Sequence, residues 1–255
     1  MLPIIHPGQK IKLFFDLLKV IGDVILLVLY PLQVSFNISI ISSNEIAIMI
    51  QKSINIYLIA IFSIGILIKS TTSIYKKGKL ITNRTEILQN YMKKDLIIDL
   101  LFLIQLIFAD EIPFLMILKI LVLFRFKEIM KFVRMIFDFL HLSNAGIAFF
   151  QLLQLTFCIF FFSHCMACSW HAISYYGSSK DNILKALDIF NESWETRYFK
   201  YLFLTVNPGK IDPRNNIELT FGYFALLATS GSIGFMISGI HNIMRALSKS
   251  DEAKR

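Results

Sequence analysis

Apolar residues in this chain gather in long blocks broken by short polar stretches. The blocks run from Val20 to Phe36, from about Ile46 to Ile68, from Leu96 to Phe108, from Phe114 to Phe139, from Ala145 to Tyr175 and from Ile217 to Leu247. A helix needs about 20 apolar residues to cross a hydrocarbon core of about 30 Å, and soluble core helices are shorter and more interrupted. The pattern therefore predicts an all-α membrane protein with six transmembrane helices. The first contains Pro31, which membrane helices tolerate where neighbours satisfy the freed carbonyl. The third is short and carries Asp99, and it ends at the acidic turn Asp110-Glu111 before Pro113. The fourth is amphiphilic rather than uniformly apolar.

The polar stretches fix the expected orientation. Lys69, Lys76, Lys77, Lys79, Arg84, Lys93 and Lys94 crowd the connection between the second and third blocks, whereas residues 37 to 45 hold no Lys or Arg. By the positive-inside rule the basic loop lies on the cytoplasm-like side, and both termini with it. Residues 176 to 216 become an outer loop that dips back into the membrane before the last block. Which membrane is involved, plasma, ciliary or organellar such as the mitochondrial inner membrane, is left open.

Composition narrows the classes. The chain is 55% hydrophobic with sparse Gly and Pro, which leaves no room for a separate soluble catalytic domain. The net charge of +8 sits mainly in loops beside apolar blocks, where it sets topology, so nucleic acid is not expected as a partner. No glycine-rich phosphate loop follows a strand and no Ser/His/Asp arrangement has a pocket to sit in, so neither enzyme activity nor a cofactor other than bound lipid is expected. Cys158, Cys165 and Cys168 share one apolar block, unlike a disulfide framework. His164, Cys165, Cys168 and His171 have the atom types of metal ligands, but helix packing explains them more simply and no metal is assigned.

Four groups of residues carry a resemblance. They are Lys77-Gly78-Lys79-Leu80-Ile81 with Asn90-Tyr91-Met92 and Ile98-Asp99-Leu100; His164-x-x-Ala167-Cys168-x-Trp170; Pro213-x-Asn215-x-x-Glu218; and Phe235-x-Ile237-x-x-Ile240-x-Asn242-Ile243. In this order and spacing they resemble the voltage-gated-like potassium channel superfamily, in particular the cyclic-nucleotide-gated and ether-a-go-go type channels, over roughly residues 17 to 247. The resemblance implies a voltage-sensor-like four-helix domain over 1–142 and a pore-like domain of two helices and a re-entrant loop over 143–255. No cyclic-nucleotide-binding domain, and so no cyclic nucleotide, is expected.

The chain departs from that family in two places. Along the fourth block the row that is cationic in a voltage sensor reads Met116, Lys119, Val122, Arg125, Glu128, Lys131, Arg134. Lys119, Arg125, Lys131 and Arg134, with Asp99, are the residual sensor charges. The acidic partner on the second helix aligns with Gly65. In the pore loop, Thr205-Val206-Asn207-Pro208-Gly209-Lys210 stands where the family's Thr-Val-Gly-Tyr-Gly-Asp filter stacks its carbonyls around an ion. Pro208 fixes φ and removes a donor, while Lys210 and Arg214 put positive charge at the mouth.

A pore helix from Tyr198, with only Phe199 to Leu204 before Thr205, would be roughly 10 Å long. The small residues Gly231, Ser232, Gly234, Ser238 and Gly239 read either as a hinge or as a surface for a close helix neighbour. These departures predict a non-conducting structural or accessory subunit among other membrane subunits. The alternative is a functional or modulatory cation channel subunit in a homo- or heterotetramer.

Overall fold

The computed structural model describes residues 4–6, 9–36, 45–76, 79–108, 119, 122–140, 144–177, 181–207 and 212–252. The described chain is mostly helical and divides into two compact units, Met1–Tyr30 with Ser39–Arg134, and Pro31–Ile38 with Met135–Arg255.

The first unit is built on α1 (Lys10–Phe36), α2 (Glu45–Thr71), α3 (Arg84–Lys94), α4 (Leu96–Phe108) and α5 (Phe126–Leu140). Helix α1 starts ten residues ahead of the expected apolar block, and Lys12 and Asp16, one turn apart, pair along that added stretch. Its last residues, with Met135 onward of α5, belong to the second unit. The expectation of a purely α-helical chain with a basic loop after α2 needs correction. That loop folds as an antiparallel hairpin, β1 (Ile74–Lys76) and β2 (Lys79–Ile81), followed by α3.

The Asn83 side chain caps α3 by accepting from Thr85 N. Asp95 closes it by donating to Tyr91 O, and its own carbonyl accepts from Asp99 N, so α4 begins at once. Upstream, Ile5 donates to Thr71 O and accepts from Ser73 N, tying the N-terminal stretch to the end of α2. Leu26, Leu27, Leu58, Phe62, Phe102, Val122 and Ile129 fill the core of this unit.

A second correction concerns the fourth block, expected to be one helix from Phe114 to Phe139. Residues 122–125 form a 3₁₀ turn, and the α-helix starts at Phe126. With three residues per turn, positions three apart eclipse. Val122 and Arg125 are accordingly both buried, and Lys119 is buried too. The acidic turn Asp110-Glu111, Pro113 and Met116 lie outside the described residues.

The second unit holds α6 (Asn144–Tyr176), α7 (Ile183–Ala186), α8 (Trp194–Val206) and α9 (Asn216–Glu252). Helix α6 packs on both α8 and α9 around Ala167, Trp170, Leu184, Tyr201, Leu204 and Ala225. Between helices in lipid the hydrophobic effect is weak, and close packing takes over. At Gly239 a Cβ would come within 2.9 Å of the end of Leu155, so glycine lets α9 approach α6 there. At Gly222 a Cβ would meet Trp170 at 3.4 Å.

By length and composition, α2 over Lys52–Thr71, α6 over Gly146–Tyr176 and α9 over Asn216–Arg245 are apolar enough to cross a membrane. Helix α4 is apolar but only 13 residues, about 20 Å, long. The protein is membrane-embedded.

Candidate functional site

Two polar clusters stand inside this apolar protein, one in each unit. The first is made by α1, α2, α3, α4, α5 and the 3₁₀ turn before α5. Asp99, on the inward face of α4, is its centre. Lys69 donates to Asp99 Oδ2 at 3.0 Å, the Tyr91 hydroxyl donates to the same oxygen at 2.8 Å, and Arg125 Nη1 pairs with Oδ1 at 2.9 Å. Burial and the carboxylate beside it hold the Tyr91 phenol above its ordinary range, which keeps it a donor.

Arg125 is 3% exposed, and its guanidinium lies 4.9 Å from the Phe62 ring centre and 4.3 Å from that of Phe102. Asp23 of α1 faces Arg125 Nε across 3.9 Å, too far for a hydrogen bond. Both Asp23 carboxylate oxygens lack a hydrogen-bond partner among the described residues.

Glu128, one helical step beyond Arg125, takes the opposite role. Its Oε2 lies 3.4 Å from Lys19 Nζ and 3.6 Å from Lys69 Nζ. The cluster thus balances Lys19, Lys69 and Arg125 against Asp23, Asp99 and Glu128. Several kcal/mol of desolvation per buried ion is offset only while each charge keeps its partner. A displacement of α5 by three residues would carry Glu128 to where Arg125 sits, against Asp99 and Asp23. Three carboxylates would then face one another.

Of the five residues expected as sensor charges, Arg125 and Asp99 meet in this cluster. Lys119 is buried with its ammonium 5.2 Å above the Tyr30 ring, and Gln105 donates to the Tyr30 hydroxyl at 3.2 Å. Lys131 and Arg134 are exposed. Gly65 is buried, and a Cβ there would lie 3.8 Å from Lys19 Cδ, an ordinary contact. Sequence reasoning passed over Lys19 and Asp23, although an ionisable pair one turn apart leading into an apolar block is a signal in itself. It also took Glu128 for a lost cation.

The second cluster surrounds α8. The expected pore helix beginning at Tyr198 is corrected: Ser193 caps the helix by accepting from Thr196 N, and α8 runs 13 residues from Trp194. At about 20 Å it is twice the expected length, so shortness is no longer an argument about the pore. The helix runs on through the first two filter-aligned positions. Thr205 is buried, its hydroxyl donating to Tyr201 O at 2.9 Å, and Val206 is 61% exposed. Asn207 ends the helix, its N–H shared between the carbonyls of Phe203 and Leu204. Pro208, Gly209 and Lys210 lie outside the described residues.

His164, Cys168 and Trp170 are all buried on α6. His164 Nδ1 meets the Tyr198 hydroxyl at 3.0 Å, and its Nε2 faces Cys168 Sγ at 3.9 Å. Trp170 meets Phe221 edge-on with ring centres 4.9 Å apart. His171 donates from Nδ1 to Ser35 O at 2.8 Å, which leaves Nε2 to accept from Arg197 at 3.4 Å. These rings are engaged in packing, and among the described residues no group of three metal-ligand side chains converges.

Behind α8, buried Glu218 accepts from Ile183 N at 3.1 Å and from Arg214 N at 3.0 Å, while its own N–H donates to Asn215 Oδ1 at 2.9 Å. This carboxylate was read from the sequence only as part of a pattern. It is the clasp that holds the loop to α9. Compared with family models and with curated proteins, the chain matches none.

Proposed function

We propose that this protein is a six-span subunit with the architecture of a voltage-gated-like cation channel that does not conduct, and that it serves as a structural or accessory member of a larger membrane assembly. One observation carries the reading: Thr205 and Val206 are wound into α8. A carbonyl filter needs consecutive backbone oxygens turned toward one axis, and helical residues direct theirs along the helix instead. Thr205 also spends its hydroxyl on Tyr201 O within the helix.

The ion cluster supports the same reading, because Glu128 holds α5 against Lys19 and Lys69 where a moving sensor would carry a cation. So does α9, along which exposed Ser230, Gly231, Gly234, Ser238 and His241 make one small and polar stripe. Lipid gives such a stripe nothing, whereas a neighbouring helix fits it closely.

A second reading, a voltage-responsive or modulatory channel subunit, is favoured by Arg125, which is held between Phe62 and Phe102 and paired with Asp99. The purified protein reconstituted in liposomes separates the two. Potassium flux no greater than in protein-free liposomes is the expected result. Flux that disappears on Lys210→Glu, or voltage-dependent flux that disappears on Arg125→Gln, would overturn the structural reading in favour of the second.

A further inference from the structure

We propose that β2 and α3 form an in-plane element that rests on the anionic phospholipid headgroups of one leaflet. Side chains around α3 fall into three sectors at about 100° per residue. Ile87 and Tyr91 face the core of the unit. Leu88 and Met92, one turn apart and 44% and 51% exposed, form an apolar sector beside them. Gln89 and Lys93, farther round, are exposed and polar. Two large apolar side chains between a packed side and a charged side suit a helix lying at the boundary of lipid and water.

The chain supplies the lipid next to it. Helix α3 passes into α4 through Asp95 alone, and α4 carries the exposed apolar residues Ile97, Ile98, Leu101 and Ile104. The end of α2, itself long and apolar enough to cross the membrane, leads directly into the hairpin.

Charge selects the headgroup. Lys79, Arg84 and Lys93 are exposed on this element, and Leu80 beside Lys79 is half-exposed. Beyond Lys69, which is held in the ion cluster, residues 70–95 hold six Lys or Arg against two carboxylates, Glu86 and Asp95. Lysine and arginine stems lie along the apolar boundary while their heads reach phosphate, and such cations favour a negatively charged leaflet. The inference needs α2 in the bilayer and is independent of whether the protein conducts ions.

Amide hydrogen exchange tests it on the full chain, reconstituted either in phosphatidylcholine vesicles or in vesicles of phosphatidylcholine mixed with phosphatidylserine. Exchange over 79–93 is expected to be slower with phosphatidylserine, by about fivefold for each cation engaged. The slowing should vanish in Lys79→Gln/Arg84→Gln/Lys93→Gln and, for the unaltered protein, at raised salt. Exchange within α2 serves as the folding control. Equal exchange in both vesicles would overturn the proposal, as would slowing that survives either salt or the triple substitution.

Discussion

Asp99 shows how one residue sets the character of the first unit. Its two oxygens receive an ammonium, a phenol and a guanidinium contributed by α2, α3 and the turn before α5. Asparagine at this position would keep the shape and remove the charge, leaving Arg125 buried with Asp23 alone at 3.9 Å. Removing one partner of a buried ion pair costs about 3–5 kcal/mol. Asp99→Asn is therefore expected to lower the thermal midpoint of the detergent-purified protein sharply, and Asp99→Glu to lower it much less. Equal midpoints for Asp99→Asn and the unaltered protein would show that the cluster contributes little to stability.

At the scale of elements, Glu218 links three pieces of the second unit. It lies in the first turn of α9, and its carboxylate accepts the backbone N–H groups of Ile183, which opens α7, and of Arg214, which precedes α9. Asn215 completes the start of α9 by capping Glu218 N and donating from its own amide to Asp181 O. Glutamine offers one acceptor oxygen where the carboxylate offers two, so Glu218→Gln leaves one buried N–H facing a donor. The cost is about 1–3 kcal/mol. It should appear as faster amide exchange at 181–186 and 212–215 with α6 unchanged, and uniform exchange across the unit would refute the clasp.

Much of this was visible in the chain itself, for reasons that differ between elements. The apolar blocks located α2, α4, α6 and α9 to within a few residues, because lipid demands length and uniform apolarity. The hairpin and α3 were not found, since Lys76 to Lys79 reads as a polar loop when periodicity is the guide. Helix α8 began four residues early because its start is set by the Ser193 cap, a local hydrogen bond that hydropathy does not register. Of the row through Arg125 only Arg125 and Glu128 enter the cluster, and the sequence could not say that Lys19 and Lys69 would turn Glu128 from a missing cation into a tether. That pairing is made in three dimensions.

For the molecule as a whole, the proposed role turns on what stands beside α9. Little of the apolar stretch of α6 or α9 is buried within the chain, and a lone copy surrounded by lipid would satisfy the bulky outward residues Phe224, Leu227 and Phe235. It would leave the exposed hydroxyls of Ser230 and Ser238 facing lipid. Nothing lies within 4 Å of a Cβ built at Gly234, so leucine fits there in the isolated chain, and a helix interior favours it over glycine by about 0.5–1 kcal/mol. Gly234→Leu should accordingly leave folding intact while it blocks close approach of another helix. For an accessory subunit among unlike partners, two expects follow from co-expressing differently tagged copies: neither tag should retrieve the other, and the native mass of the solubilised assembly should fall on Gly234→Leu. Retrieval of one tag by the other, lost in Gly234→Leu, would instead mean that copies of this chain meet along α9, the arrangement a pore requires and an accessory role does not.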